Sequence, residues 1–293
     1  MGGDAGVIMA MKKLFYLFIT LVAPAVLFAA EDINKQVDKT PKEQPALTDK
    51  QDDGKQGKPA ALALDPHQFE FVRTNLVSTF YHELAHALID MMDLPVLGQE
   101  EDAADVFSVV VIEHLFNPQH ALKINSGGAT GFKVDAEDRI AKGREWDWAD
   151  EHGPDMQRYY NIVCLTYGSN PDDRAKLAEK MGLPLERAEY CKEEYDLAKR
   201  SWDPVIKRIE DAKSGEQVSF HQSARTALQQ RAAGVIEDEV KLANEKFNLP
   251  KRLRVTVKRC SRGNNMYAFY SPDRQKITIC TNYIDELYRT APK

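Results

Sequence analysis

The chain has 293 residues and a formal net charge of −6, with 43% hydrophobic and 29% charged residues. That length accommodates one domain with a sizeable core. An acidic balance with no basic block beyond the lysines near residue 250 gives no footprint for nucleic acid, and no internal repeat is apparent.

At the front, Met11-Lys12-Lys13, an apolar stretch from Leu14 to Phe28, and Ala29-Ala30 before Glu31 have the three-part layout of a secretory signal peptide. Met1 to Ala10 reads as an extension ahead of the true start, so residues 1–30 are assigned to the signal, with cleavage expected near Ala29 or Ala30. The competing reading is an uncleaved membrane anchor. The run approaches spanning length but contains Pro24 and lacks a stop-transfer flank. Glu31 to Lys58 is rich in Lys, Asp, Gln, Glu and Pro and cannot bury enough apolar surface to offset its ordering entropy. Residues 31–61 are therefore expected to be a disordered linker, and residues 62–293 the folded domain of a periplasmic or secreted protein.

Asp65-Pro66 is a helix cap and first-turn pair, and Phe69, Val72, Leu76, Phe80 and Leu88 recur at helical spacing, which predicts a helix to Asp90 or beyond. Within it lies His82-Glu83-Leu84-Ala85-His86, an H-E-x-x-H in an uncharged setting. Residues four apart share a helix face, so His82 and His86 can both present a ring nitrogen to one ion, for which zinc is the natural tenant. Glu83 sits about 100° round the helix from His82, beside such an ion rather than on it, where a general base belongs. A catalytic zinc needs a third protein ligand. After the break Leu94-Pro95-Val96-Leu97-Gly98, a second helix is predicted over 99–116, opening with Glu100-Glu101-Asp102 and placing Glu101 and Asp105 one turn apart. The other reading is an amphipathic helix whose histidines pack in the core, with an acidic first turn that favours the helix dipole.

H-E-x-x-H followed by E-x-x-x-D on the next helix resembles the gluzincin metallopeptidases. The runs HELAHALIDMMDLPVLGQEEDAADVF and ADEHGPDMQRYYNIVCLTYGSNPD resemble a bacterial metallopeptidase family known mainly as a domain of unknown function, over most of the chain from about Phe69. The resemblance implies that Glu101 is the third zinc ligand and that Asp105 holds a ligating histidine. Glu100 is the rival ligand, although the residue four beyond it is Ala104. It also implies an oxyanion donor downstream. His152 is the candidate, with Asp155 as a possible orienter, and the His152 and Arg158 spacing resembles an element of membrane-associated gluzincins. The alternative is a capping His152 and an Arg158 paired with Asp155 or Glu151.

Residues 117–131, with Ser126-Gly127-Gly128, are expected to be a loop that is not a phosphate cradle. A bridge between Cys164 and Cys191 would staple a helical hairpin, and one between Cys260 and Cys280 would pin two strands. The other pairings and a reduced state stay open. Residues 221–247 read as one long amphipathic helix, and Val255 to Thr281 as the one clear β region, with Ser271-Pro272-Asp273-Arg274 as its turn. Its Tyr267 to Tyr270 run loosely resembles the edge strand bordering a gluzincin cleft, and such an edge binds extended peptides.

The expected fold is α+β, mainly α, zincin-like with a small C-terminal antiparallel sheet. The expected activity is zinc-dependent hydrolysis of a peptide or protein substrate by His82, His86, Glu101, Glu83 and His152. A non-catalytic zinc-binding envelope protein and an amidase acting on cell-wall material are the alternatives. Any membrane contact would come through an uncleaved signal anchor.

Overall fold

The computed structural model describes residues 64–146, 148–261 and 267–293. The signal and linker assignments lie outside the described residues. Helix α1, Pro66–Met92, begins at Asp65, whose carboxylate accepts the Gln68 N–H at 2.9 Å, with Pro66 in the first turn. Asp93, in the left-handed conformation at φ 51°, ends it. Val72, Leu76, Val77, Phe80, Tyr81, Leu84 and Leu88 are all fully buried, and together they cover about half of the helix circumference. A buried face that wide, broader than the stripe of a surface helix, places α1 in the middle of the fold. The elements covering it include α2 (Glu100–Leu115), α3 (Pro118–Ala141), α7 (Ala227–Lys246) and α8 (Thr281–Thr290). Outside these, α4 (Asp155–Ser169), α5 (Pro171–Lys180) and α6 (Leu185–Glu210) complete the helical part.

The expected loop over 117–131 is instead the first half of α3. Asn117 caps the helix by accepting the His120 N–H at 3.0 Å, and Pro118 follows in the first turn. Glycine ordinarily weakens a helix interior, but here it serves close approach. A Cβ at Gly131 would lie 2.0 Å from Asn75 Oδ1, and one at Gly128 would lie 2.6 Å from Ser78 Oγ. With no side chains in the way, Asn75 Nδ2 reaches across to donate to the Gly127 carbonyl at 3.2 Å. Gly→Ala normally gains up to about 1 kcal/mol in a helix. At Gly131 the sign should reverse, with a loss of roughly 1–3 kcal/mol from overpacking against buried Asn75. Denaturant titration of Gly131→Ala checks this, and a stabilised variant would mean that the two helices do not meet there.

The sheet has four strands in the order β1-β2-β4-β3: β1 Val218–Gln222, β2 Leu253–Lys258, β3 Ala268–Ser271 and β4 Lys276–Cys280. Two expectations are corrected. The stretch from His221 does not start a helix, because residues up to Gln222 pair with β2 and the helix begins only at Ala227, capped by Thr226. The sheet is mixed rather than antiparallel: β1 and β4 both run parallel to β2, and only β3 is antiparallel to β4. The parallel pair β1 and β2 requires a crossover, which α7 supplies. The mainly α class with a small sheet stands.

Disulfides join Cys164 to Cys191, between α4 and α6, and Cys260 to Cys280, at the ends of β2 and β4. Such bridges persist in oxidising compartments. Among the described residues no helix is long and apolar enough to cross a membrane.

Candidate metal centre

The one polar stripe of α1, comprising Ser78, Thr79, His82, Glu83 and His86, faces a cavity of about 850 Å³. The first turns of α2 face the same space and bring Glu100, Glu101 and Asp105 to it. His82 Nε2 lies 3.1 Å from His86 Nε2 and 3.1 Å from Glu101 Oε2, and His86 Nε2 lies 3.4 Å from Glu101 Oε1. The back of each ring is held. His82 Nδ1 meets Asp105 Oδ1 at 2.8 Å, and His86 Nδ1 meets Glu100 Oε1 at 2.7 Å.

Those two contacts decide the chemistry of the front. A carboxylate only accepts, so each Nδ1 carries the hydrogen, and a neutral ring then has a bare lone pair on Nε2. Two such lone pairs and a carboxylate oxygen converging at 3.1–3.4 Å need a positive charge between them. A proton on His82 meets that need, as does a metal cation. Burial works to lower the His82 pKa, but hydrogen bonds to Asp105 and Glu101 outweigh it and push it up to about 10. The donor separations suit a tetrahedral ion with bonds near 2.0–2.1 Å, whose edges would be about 3.3 Å. Loading such a site therefore displaces a proton.

Asp105 is itself anchored. Arg158, on α4, donates from Nε to Oδ2 at 2.7 Å and from Nη2 to Oδ1 at 2.8 Å, a two-point clamp on a buried carboxylate. The Phe132 ring lies 4.1 Å from the guanidinium centre. Burial disfavours the charge on Asp105, but Arg158 and His82 hold it well below the usual carboxylate range. Neither local partner expected for Arg158, Asp155 or Glu151, is the one it takes. Glu100, expected as a rival ligand, instead sits behind His86 on the ring's far nitrogen.

Glu83 is only 6% exposed and makes no hydrogen bond or ion pair among the described residues. Burial raises its proton affinity, against the pull of His82 and His86. His152 comes from the loop before α4. Its Nε2 lies 3.1 Å from Glu101 Oε2, and its Nδ1 lies 3.0 Å from Asp150 Oδ1. The expected orienter, Asp155, is not on this ring but lies 3.6 Å from Arg139 Nε. The edge strand β3 borders the cavity through Ala268, Phe269 and Tyr270, and the Tyr270 hydroxyl donates to Asp90 on α1 at 2.7 Å.

His82, His86 and Glu101 thus form a group whose ligand atoms all lie within 4.8 Å of one another. A family model described as "Putative metallopeptidase" matches residues 45–206 and 215–293, most of the chain. No curated protein and no solved structure matches.

Proposed function

Since the chain belongs to this metallopeptidase family, we propose that it is an exported, zinc-dependent peptidase with Glu83 as general base. Family membership implies a metal. The observation that carries the finer reading is three convergent donors, His82, His86 and Glu101, beside a buried carboxylate with no hydrogen-bond or ion-pair partner among the described residues. Two imidazoles and a carboxylate are a donor set that suits zinc in a catalytic role. Bound there, zinc would supply a Lewis acid that polarises the scissile carbonyl and acidifies the attacking water.

The chain's own residues do the rest. Glu83 takes a proton from the attacking water and passes it to the leaving amine, and burial suits it to hold that proton between the two events. Asp105 and Glu100 fix the tautomer and direction of the two rings. His152, beside Glu101, donates to the carbonyl oxygen as negative charge gathers on it. An extended peptide can lie along β3, whose free side is the edge of the sheet. The signal layout and two disulfides support an exported protein.

Mature protein should carry about one zinc per chain, the stoichiometry of a three-ligand site. Chelation should abolish peptide cleavage and added zinc should restore it. Zinc content that is unchanged in a His82→Ala, His86→Ala double variant would overturn the assignment.

A further inference from the structure

The same cavity has a second wall, formed by α3, where Asp135 lies one turn beyond Gly131. Asp135 is half-buried and has no hydrogen-bond or ion-pair partner among the described residues. Several other carboxylates of the cavity are engaged. Asp105 is clamped by Arg158, Glu100 and Glu101 face the histidines, and Asp150 holds His152. Of the arginines lining the cavity, Arg158 is on Asp105, Arg139 lies 4.6 Å over the Trp146 ring and 3.6 Å from Asp155, and Arg144 is exposed; none of them forms an ion pair with Asp135 among the described residues. A carboxylate left half-buried without a partner is costly, and the folded chain keeps that cost at Asp135.

The surroundings say what would relieve it. Tyr267 and Tyr283 border the cavity as a pair, their rings 4.9 Å apart and tilted. Both phenols are raised first by burial, and the Asp135 charge contributes to the rise in each. Burial, then Asp155, raises Asp135 itself to about 6, so this corner already carries crowded negative charge. A carboxylate walled by electron-rich rings attracts an ammonium or guanidinium through charge and through the ring faces. It rejects an acidic side chain.

Resting on the peptidase reading, we propose that Asp135 is a specificity-determining residue: it anchors a subsite that selects substrates with a Lys or Arg side chain close to the scissile bond. The substrate contributes the missing counter-charge, and Tyr267 and Tyr283 flank its aliphatic stem. A free N-terminal ammonium has the same chemistry, and the experiment separates the two sources.

Peptides from a Glu-specific digest of a proteome are incubated with zinc-loaded mature protein, and the new termini are read by mass spectrometry. One position beside the cut should be enriched in Lys and Arg by roughly tenfold, the scale of a hydrogen bond to a charged group. The enrichment should survive N-terminal acetylation of the peptides and collapse to background in the near-isosteric Asp135→Asn. Cleavage without that enrichment in the parent, or the same enrichment in Asp135→Asn, overturns the subsite. Loss on acetylation overturns the side-chain assignment. A binding arm does not depend on turnover. The zinc-loaded Glu83→Gln protein, with and without Asp135→Asn, is titrated with fluorescent acetylated oligoalanine carrying one central Lys or Gln. Tighter binding of the Lys peptide by about tenfold, lost with Asp135→Asn, supports the subsite even if no peptide is ever cut. Equal or undetectable binding of both peptides overturns it, whatever the cleavage result.

Discussion

Glu83→Gln should bind zinc as tightly as the parent and cleave peptides about 10²-fold more slowly or worse, the scale of a lost general base. The two effects separate because Glu83 stands next to the metal-binding group without belonging to it. Glutamine keeps the volume of the buried side chain and can still hydrogen-bond to water, but it cannot accept the proton. Removing a buried carboxylate that has no hydrogen-bond or ion-pair partner among the described residues also costs the fold little, so the variant should melt at or above the parent temperature. Glu101→Gln is the contrasting case. It preserves shape but removes the one negative charge facing both Nε2 atoms, so zinc itself should be lost. Zinc content by metal analysis and cleavage of a peptide mixture, measured on both variants, separate the roles. A Glu83→Gln protein that cleaves at the parent rate would remove the mechanism from the peptidase reading.

The parts of this site that were legible in the sequence are those set by local geometry. Four-residue spacing puts His82 and His86 on one face, and the same spacing puts Glu101 and Asp105 on another, so a tight turn between two helices suffices to bring them together. The misreadings came where a non-local demand outweighs local preference. Gly127, Gly128 and Gly131 signal a loop by composition, yet they are the residues that let α3 lie against α1. Only the positions of Thr74, Ser78 and Asn75 on the other helix explain them. Strand β1 has few apolar residues in Val218-Ser219-Phe220-His221-Gln222 because it is an edge strand, with one flank free and a largely exposed end. The direction of the strands was equally hidden. Adjacent strands in sequence suggest hairpins, but β3 lies at the far edge and β4 fills the place beside β2.

Arg158 illustrates the limit most clearly, and it carries the second large expectation. On a helix its local partner would be Asp155, three residues earlier, whereas the guanidinium reaches Asp105, 53 residues away. Nothing in one sequence links those two positions. Their side chains are only 11% and 10% exposed, so the pair is effectively out of water. Breaking such a pair from one side leaves a buried charge without its counter-ion and typically costs about 3–5 kcal/mol. Arg158→Met keeps much of the length and the packing on Phe132 while removing the donors, so a loss of that size in denaturant titration is expected. Zinc affinity should fall as well, by roughly 10 to 100-fold, the usual effect of disturbing a partner behind a metal-bound histidine. The link is Asp105. Without the clamp it tends to hold a proton, and the His82 ring then loses the acceptor that keeps its Nδ1 hydrogen in place. Asp105→Leu combined with Arg158→Met removes both charges together, so it should cost less stability than the sum of the two single changes while leaving zinc binding weak. Stability and zinc affinity both at parent level in Arg158→Met would show that the clamp serves neither the fold nor the site.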